Sequence, residues 1–254
     1  MNAWDRVRLE LDEWSRERRQ ALFWWRDDDA GDVSAKLNRM IDVAESSSVS
    51  IGLSVIPLNC TEQLKRLVAK HHNLDVLVHG LAHVSHARAG QAKREYGGVR
   101  RTTEMEQDLV RGLALNRRAF GERALAVLVP PWNRIQPGLV QRLHDLGFQG
   151  LSTWKPRSEG WKSSGLVQVN THLDVINWRQ ERAIKSEAEV ASLLLRKLRW
   201  RREHSARALE PLGLLTHHQH WCREKETIIV NLLKVTRSHP AAKWLSAREV
   251  FSAQ

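Results

Sequence analysis

Five short apolar segments of the chain each lead into polar residues that could take part in chemistry. They are residues 21–25, 74–78, 124–129, 166–169 and 212–215. Segments of this length are typical of buried strands. Helical patterns alternate with them, so we expect an α/β fold with parallel strands and right-handed crossovers. Parallel strands end at one edge of a sheet, where α/β proteins place active sites, so the polar groups are expected to converge there.

An amphipathic helix is predicted before the first strand. Residues 3–19 place Trp, Val and Leu side chains on one helical face and charged side chains opposite. We expect the apolar face to pack against the domain or against a second subunit. The length fits one large domain. The chain is therefore divided into an N-terminal helix, residues 1–20, and a single domain, residues 21–254.

Capping patterns predict where later helices begin. Thr103 with Glu106, and Ser186 with Glu189, have the spacing of a capping box, in which the two side chains bind backbone N–H groups at the start of a helix. Residues 137–146 are also predicted to be helical.

A polar segment, residues 86–101, contains three glycines and is predicted to form a long loop. Loops of this length in compact domains are either functional lids or disordered segments. The sequence leaves both interpretations open.

Two histidines provide the clearest candidate metal ligands. His79 and His83 are four residues apart, so on a helical turn they would share a face and could bind one ion with an Asp from elsewhere. Gly80 permits a sharp turn behind the first ligand. Two ordinary surface histidines, in a chain with 12 His residues, would show the same spacing.

Three consecutive carboxylates, Asp27, Asp28 and Asp29, follow the first apolar segment. Like charges packed together are costly unless an ion or a cationic group neutralises them. One carboxylate could bind the metal while a neighbour accepts a proton during the reaction. A solvated acidic turn before a helix starting at Ser34 is the alternative.

Two further groups follow apolar segments. The rigid sequence Pro130-Pro131-Trp132-Asn133 could present a backbone N–H to an oxyanion, although such sequences are more often plain turns. The histidines that follow the last segment could include a general acid, form a second metal site or lie in a solvated loop; they are His217, His218 and His220.

Several of the 11 Trp residues adjoin these groups. Flat aromatic faces suit sugar rings, and core packing is the alternative. The neighbouring residues are Trp24, Trp25, Trp132, Trp154, Trp178 and Trp221.

Composition limits the possible partners and compartment. The formal net charge of +11 favours anionic partners, or else reflects only a basic surface. The two cysteines are far apart and indicate neither a disulfide framework nor a metal site. The charged N-terminus lacks a signal-peptide core, and no segment is long and apolar enough to span a bilayer. We therefore expect a cytoplasmic protein.

In this order, the motifs resemble those of the polysaccharide deacetylases, the carbohydrate esterase family 4 proteins with NodB homology. The resemblance covers residues 22–218. The matching motifs are Asp28-Asp29, His79 to His83, Pro130-Pro131-Trp132, Asp174 with Trp178, and Leu215-Thr216-His217.

The resemblance implies a deformed (β/α) barrel of about seven strands that binds a divalent metal, usually zinc but sometimes cobalt or another ion. The implied ligands are Asp29, His79 and His83. The implied catalytic groups are Asp28 as general base, His217 as general acid, Asp174 orienting His217, and the Trp132 N–H in the oxyanion hole, with Pro131 and Asn133 beside it.

Departures from the family pattern leave two points open. Asp27-Asp28 is a competing pair for base and ligand. The family usually has an Arg that steadies the base where this chain has Val129, and either Arg26 or Arg134 could take its place.

The resemblance therefore implies a hydrolase of carbon–nitrogen bonds outside peptides, removing N- or O-linked acetyl groups from a carbohydrate or a sugar-linked small molecule. The alternatives are hydrolysis of a non-sugar amide on the same scaffold, and a non-catalytic basic protein that binds an anionic glycan or nucleic acid. The basic run from Arg196 to Arg202 would serve binding, but a solvated helix face explains it more simply. The sequence does not predict the oligomeric state.

Overall fold

The computed structural model describes residues 2–154, 165–178, 183–204 and 210–252. Its strands are β1 (Ala21–Ala30), β2 (Ile51–Val55), β3 (Leu74–Val78), β4 (Ala124–Leu128), β5 (Gly150–Leu151), β6 (Val167–Gln168), β7 (Thr171–Asp174), β8 (Ile176–Asn177), β9 (Ala183–Ile184), β10 (Leu212–His217) and β11 (Ala242–Trp244). Its helices are α1 (Ala3–Arg16), α2 (Ala35–Ser46), α3 (Glu62–Lys70), α4 (Thr102–Phe120), α5 (Pro137–Val140), α6 (Glu187–Glu203), α7 (Arg223–Arg237) and α8 (Ala247–Ser252).

The strands form a curved parallel sheet in the order β6-β5-β4-β3-β2-β1-β10-β7. β11 adds a parallel pairing to the start of β1, while β8 and β9 form a separate antiparallel hairpin. The predicted α/β fold, a deformed (β/α) barrel, is confirmed. This order contains eight strands rather than about seven, because the short strands β5 and β6 extend the sheet at one edge.

β1 lies at the centre of the sheet and runs further than its apolar segment. β2 and β10 pair with it on either side, and Asp27 and Asp28 lie in register with Thr216 and His217. The prediction that the carboxylates follow the strand is therefore wrong, because Asp27, Asp28 and Asp29 all lie within β1. Backbone pairing on both sides extends the strand through them, whatever their side-chain polarity.

The amphipathic helix α1 packs on the barrel through α6 and α7. Its predicted apolar face is buried, and Trp14 is only 1% exposed. On its polar side, buried Glu10 accepts a hydrogen bond of 2.6 Å from Arg202 Nε, and Arg202 also pairs with Glu17. Part of the basic run in α6 therefore holds α1 in place.

Some element boundaries differ from the sequence predictions. α4 begins at Thr102 with Arg101 at its N-cap, and Glu104 accepts the Arg101 N–H, so Thr103 lies inside the helix. The predicted helix 137–146 is confined to α5, followed by turns. The capping box at Ser186 is confirmed. None of the described helices is long and apolar enough to cross a membrane.

We expect Trp14→Ala to lower the free energy of unfolding by about 3–5 kcal/mol, because it leaves a cavity where α1 meets the core. Leu9→Ala on the same helix removes a side chain that is 50% exposed, so we expect a change within about 0.5 kcal/mol. Urea unfolding followed by tryptophan fluorescence measures both. Equal effects in the two variants would contradict this account of α1.

Candidate active site

Three side chains from two strand ends form a candidate metal centre. Asp29 Oδ1 lies 2.9 Å from His79 Nε2 and 3.2 Å from His83 Nε2. One ligand atom from each residue lies within 4.8 Å of the others. Two imidazoles and one carboxylate leave further coordination positions open, as in catalytic rather than structural sites.

The ring of His79 is oriented for ligation. His79 Nδ1 lies 2.9 Å from the carbonyl oxygen of Val129, which can accept its N–H. A hydrogen bond of this kind fixes the tautomer and leaves Nε2 free as a donor atom, which is the usual arrangement around a metal-binding histidine. The residues present therefore fit a divalent ion such as zinc or cobalt.

The segment between the two histidines is an irregular turn and not the predicted helical turn. Gly80 and His83 take left-handed conformations, with φ of 66° and 57°. Asp29 does the same, with φ of 71°, beside a register shift between β1 and β2. These backbone bends bring the carboxylate to the imidazoles, a convergence that residue spacing alone does not specify.

Asp28 lies beside this centre as a buried carboxylate. Its Oδ2 accepts a hydrogen bond of 2.9 Å from Arg26 Nη2, while its Oδ1 has no hydrogen-bond partner among the described residues. Burial alone would raise the pKa of Asp28. The charge of Arg26, with smaller contributions from two nearby histidines, outweighs burial and lowers that pKa below its ordinary value. Asp28 is therefore ionised at neutral pH.

Arg26 is fully buried and connects three parts of the site. It donates to Asp28, to Ser152 Oγ at 2.7 Å and to Asn133 Oδ1 at 2.7 Å. Arg134, the other candidate for steadying the base, instead donates to the Lys93 carbonyl. The cation beside Asp28 thus comes from the same strand, two residues earlier.

Asp27 faces the other side of β1 and is buried. Its Oδ1 accepts from Thr216 Oγ1 at 2.6 Å, and its Oδ2 lies 2.6 Å from His218 Nδ1. Burial opposes protonation of His218, but Asp27 outweighs it and raises the pKa of that imidazole. Asp29 and not Asp27 therefore lies beside His79 and His83, while both carboxylate oxygens of Asp27 are engaged by Thr216 and His218.

His217 ends β10 directly beside Asp28. It is 9% exposed, and its Nδ1 is buried without a hydrogen-bond partner in the described part of the chain. Lys225 Nζ donates to its backbone carbonyl, and the Trp178 ring packs edge-on against it at 4.8 Å. Asp28 and His217 are thus neighbours beside the candidate metal centre.

Asp174 makes no direct hydrogen bond to His217. Its carboxylate accepts from the Ile176 N–H and, at 2.7 Å, from Trp178 Nε1. Since Trp178 contacts His217, Asp174 reaches the imidazole only through this indole.

The Pro131-Trp132-Asn133 turn adjoins the site through His83 and Arg26. Trp132 and Asn133 take left-handed conformations, with φ of 54° and 55°. The Asn133 N–H bonds back to the Pro130 carbonyl, whereas no described residue accepts the Trp132 N–H. The Trp132 ring lies 4.4 Å from the ring of His83.

Five of the six tryptophans near the motifs divide into two groups. Trp132 and Trp178 flank the site, and Trp178 is 46% exposed. Core packing explains three others, Trp24, Trp25 and Trp221, which are buried.

Sequence reasoning missed two side chains that support the site. Ser152 contacts Arg26, and Glu95, in the 86–101 loop, is 1% exposed and accepts backbone N–H groups between the two histidines. Burial raises the pKa of Glu95 above its ordinary value, despite the hydrogen bonds from Ala82 and Leu81 that favour its ionised form. No local motif distinguishes either residue.

No protein-family model and no curated protein sequence matches this chain. Solved structures do resemble it. A probable polysaccharide deacetylase from Pseudomonas aeruginosa matches with a TM-score of 0.65 and 10% identity, over 94% of this chain and 92% of its own. A family 4 acetyl xylan esterase from Clostridium thermocellum, in complex with a cobalt ion, gives 0.59 and 10% identity, over 92% and 91%.

A carbohydrate esterase family 4 pseudoenzyme from Bacillus anthracis has the same fold, with a TM-score of 0.57 and 12% identity over 92% of this chain and 66% of its own. The chain therefore has the fold of the polysaccharide deacetylases, as the resemblance of its motifs implied. At these identities the likeness establishes the fold alone.

We expect Asp29→Asn to abolish tight binding of zinc, because the variant loses the only carboxylate among the three clustered donors. Asp27→Asn should keep metal binding, since Asp27 faces the other side of β1. Exposed Asp42 on α2 provides the matched control, Asp42→Asn. Isothermal titration of the metal-free proteins measures all three. Loss of binding in Asp27→Asn with retention in Asp29→Asn would reverse the assignment.

We expect Arg26→Met to lower the free energy of unfolding by about 3–5 kcal/mol at pH 7, because it leaves the Asp28 carboxylate buried without its cation. The lowered pKa of Asp28 stabilises the fold above the ordinary carboxyl pKa and ceases to do so as the pH falls. Without Arg26, burial raises the pKa of Asp28, so the difference in unfolding free energy from the wild type should already narrow as the pH falls towards about 4 and should narrow further below it.

Urea unfolding at several pH values tests the effect of Arg26. The pairing of Arg26 with Asp28 would be contradicted if Arg26→Met and the wild type differed little in unfolding free energy at pH 7. It would also be contradicted if that difference grew as Asp28 is protonated.

Proposed function

We propose that the protein is a metal-dependent hydrolase that removes N- or O-linked acetyl groups from a carbohydrate. The ligands proposed are Asp29, His79 and His83. The position of Asp28 carries the proposal: it is an ionised, buried carboxylate beside the ligand cluster, held through one oxygen while the other is free of described partners. Such an orphaned acceptor needs a polar group that a substrate or water can supply.

Zinc is the ion proposed, with cobalt or another divalent ion as the alternative, because imidazole and carboxylate donors suit these metals. When bound, the ion would polarise the acetyl carbonyl and make the attacking water more acidic. The remaining steps depend on the side chains around it.

Asp28 serves as the general base in this proposal. Its Oδ1 accepts a proton from the attacking water, while Arg26 and Asn133 keep the carboxylate in place. Because Arg26 keeps the pKa of Asp28 low, the carboxylate is ready to accept that proton at neutral pH.

His217 serves as the general acid and the Trp132 N–H stabilises the oxyanion. His217 is the register partner of Asp28 in the pairing of β1 with β10, so both side chains could reach one bound acetyl group. Trp132 lies next to His83, and its N–H is not used within its own turn, which suits a donor to developing negative charge. Asp174 would support His217 by fixing Trp178.

A sugar substrate is favoured by the two indoles that flank the site. The rings of Trp132 and Trp178 offer flat apolar faces beside polar groups, the surface that acetylated sugars complement. The net charge of +11 favours anionic glycans or sugar nucleotides as the first substrates to test, since a positive field raises encounter rates.

The non-catalytic alternative has less support. Much of the basic run in α6 is used within the fold: Arg199 and Arg202 pair with Glu10, and Arg201 donates to the Glu210 carbonyl. A binding protein would also have no need of the ionised Asp28 beside a ligand cluster.

The test is acetate release by zinc- or cobalt-loaded protein from N-acetylated sugars, sugar nucleotides, chito-oligosaccharides and simple amides. We expect release from a sugar substrate, loss of activity with a chelator and recovery with added metal. Release from a simple amide alone would favour the non-sugar alternative. No release from any substrate by metal-loaded protein, with salt-sensitive binding of nucleic acid, would favour the binding protein.

We expect Asp28→Asn and His217→Ala each to lower kcat about 10²–10⁴-fold while leaving metal binding intact, because general acid–base groups contribute that much to the rate. Asp42→Asn and His204→Ala, which alter exposed residues of the same types, are the matched controls. Steady-state kinetics with metal analysis of each variant measures the effect. Full activity in either site variant would show that its role is misassigned.

A further inference from the structure

We propose that Glu95, from the 86–101 loop, is the positioning residue that holds the turn between His79 and His83 in the geometry for metal binding. The inference rests on the proposed function, because it assumes that the two histidines are ligands. It assigns a role to a carboxylate that is neither a ligand nor in contact with the reacting groups.

The backbone conformation of this turn depends on hydrogen bonds to residues outside the turn. Gly80, Leu81 and Ala82 carry no polar side chain that could fix it. Two of its residues, Gly80 and His83, have left-handed backbone conformations, which are strained for a residue with a side chain. A backbone of this kind persists only where its surroundings hold it.

The Glu95 carboxylate supplies that support. Its Oε1 accepts the Ala82 N–H at 2.8 Å and the Leu81 N–H at 3.3 Å, and its Oε2 lies 3.3 Å from the same Leu81 nitrogen. Glu95 is 1% exposed, so the bonds form away from bulk water.

Gly80 is what allows the carboxylate to come so close. A Cβ at this position would lie 1.9 Å from Glu95 Oε2 and 2.7 Å from Pro131 Cγ. The Glu95 carboxylate, the histidine turn and the Pro131 ring therefore meet around one glycine. Its left-handed φ of 66° also favours glycine there.

The loop that carries Glu95 is itself anchored. Tyr96 is fully buried, and its carbonyl accepts the Gln136 N–H. Arg134 donates to the Lys93 carbonyl on the other side of Glu95. Both anchors lie just beyond the Trp132 turn. Around Glu95 the segment is packed against the site, which differs from both interpretations that the sequence left open, a functional lid and a disordered segment.

The experiment compares zinc affinity, by calorimetry, and the absorption spectrum of the cobalt-substituted protein in four Glu95 forms: the wild type, Ala, Asp and Gln. We expect Glu95→Ala to weaken metal binding about 10–100-fold, the usual effect of losing a residue that orients ligands. Glu95→Asp keeps the charge but shortens the reach to the turn, so we expect a loss of about tenfold. Both should alter the cobalt spectrum.

Glu95→Gln should retain most of the affinity, because one oxygen already accepts both N–H groups. A role in stability alone would not give this rescue together with a changed cobalt spectrum in the Asp variant. Glu122→Ala, which removes an exposed carboxylate, is the matched control and should behave as the wild type.

The outcomes separate this inference from the proposed function. If the wild type binds no metal, the proposed function fails. If the wild type binds metal, and Glu95→Ala and Glu95→Asp bind it equally well with unchanged cobalt spectra, only the role of Glu95 is overturned. If Glu95→Ala does not fold, the Asp variant decides the question by the same criterion.

Discussion

Three consecutive carboxylates on the central strand impose the constraint on which the arrangement around β1 depends. Asp27 and Asp28 are buried and Asp29 is partly exposed, so their charges would destabilise the fold unless each had its own partner. Strand alternation sends Asp27 to the opposite side from Asp28, and the left-handed conformation turns Asp29 away from both. His218 is the partner of Asp27, and Arg26 is the partner of Asp28. Asp29 is paired with both His79 and His83.

This separation gives three identical side chains three different chemical environments. Asp27 is saturated by Thr216 and His218 and serves packing behind the sheet. Asp28 keeps one oxygen free, and Asp29 faces two imidazoles whose hydrogen bonds outweigh burial and lower its pKa strongly. A base and a ligand can therefore be adjacent in sequence, because the backbone rather than residue type determines what each carboxylate meets.

The sequence predicted the fold class and most elements, since buried parallel strands and capped helices leave local patterns such as Leu74–Val78 and the box at Ser186. Among the residues it singled out, Asp29, His79 and His83 do gather in one cluster, whereas Ser152 and Glu95 left no local signal. It did not predict that the His79 to His83 segment is irregular, because that depends on Glu95 and Pro131 from distant segments. Nor did the sequence predict which arginine, Arg26 or Arg134, lies beside Asp28. That depends on where each side chain lies in the folded barrel: Arg26 donates to Asp28, whereas Arg134 donates to the Lys93 carbonyl.

In this chain the arginine beside the proposed base, Arg26, lies on β1, the same strand that carries Asp28. In the family pattern the arginine that steadies the base precedes the Pro-Trp turn, at the position where this chain has Val129. Here Arg26 and Asp28 share one strand face, and Arg26 also donates to Asn133, to Ser152 and to the Thr153 carbonyl, while its Nε has no partner among the described residues. The Arg26 guanidinium thus links Asp28 to the Trp132 turn, because it donates to both Asp28 and Asn133. A displacement of the Trp132 turn would move Arg26 and, through it, Asp28. The proposed oxyanion donor is therefore coupled to the proposed base through the buried Arg26 side chain.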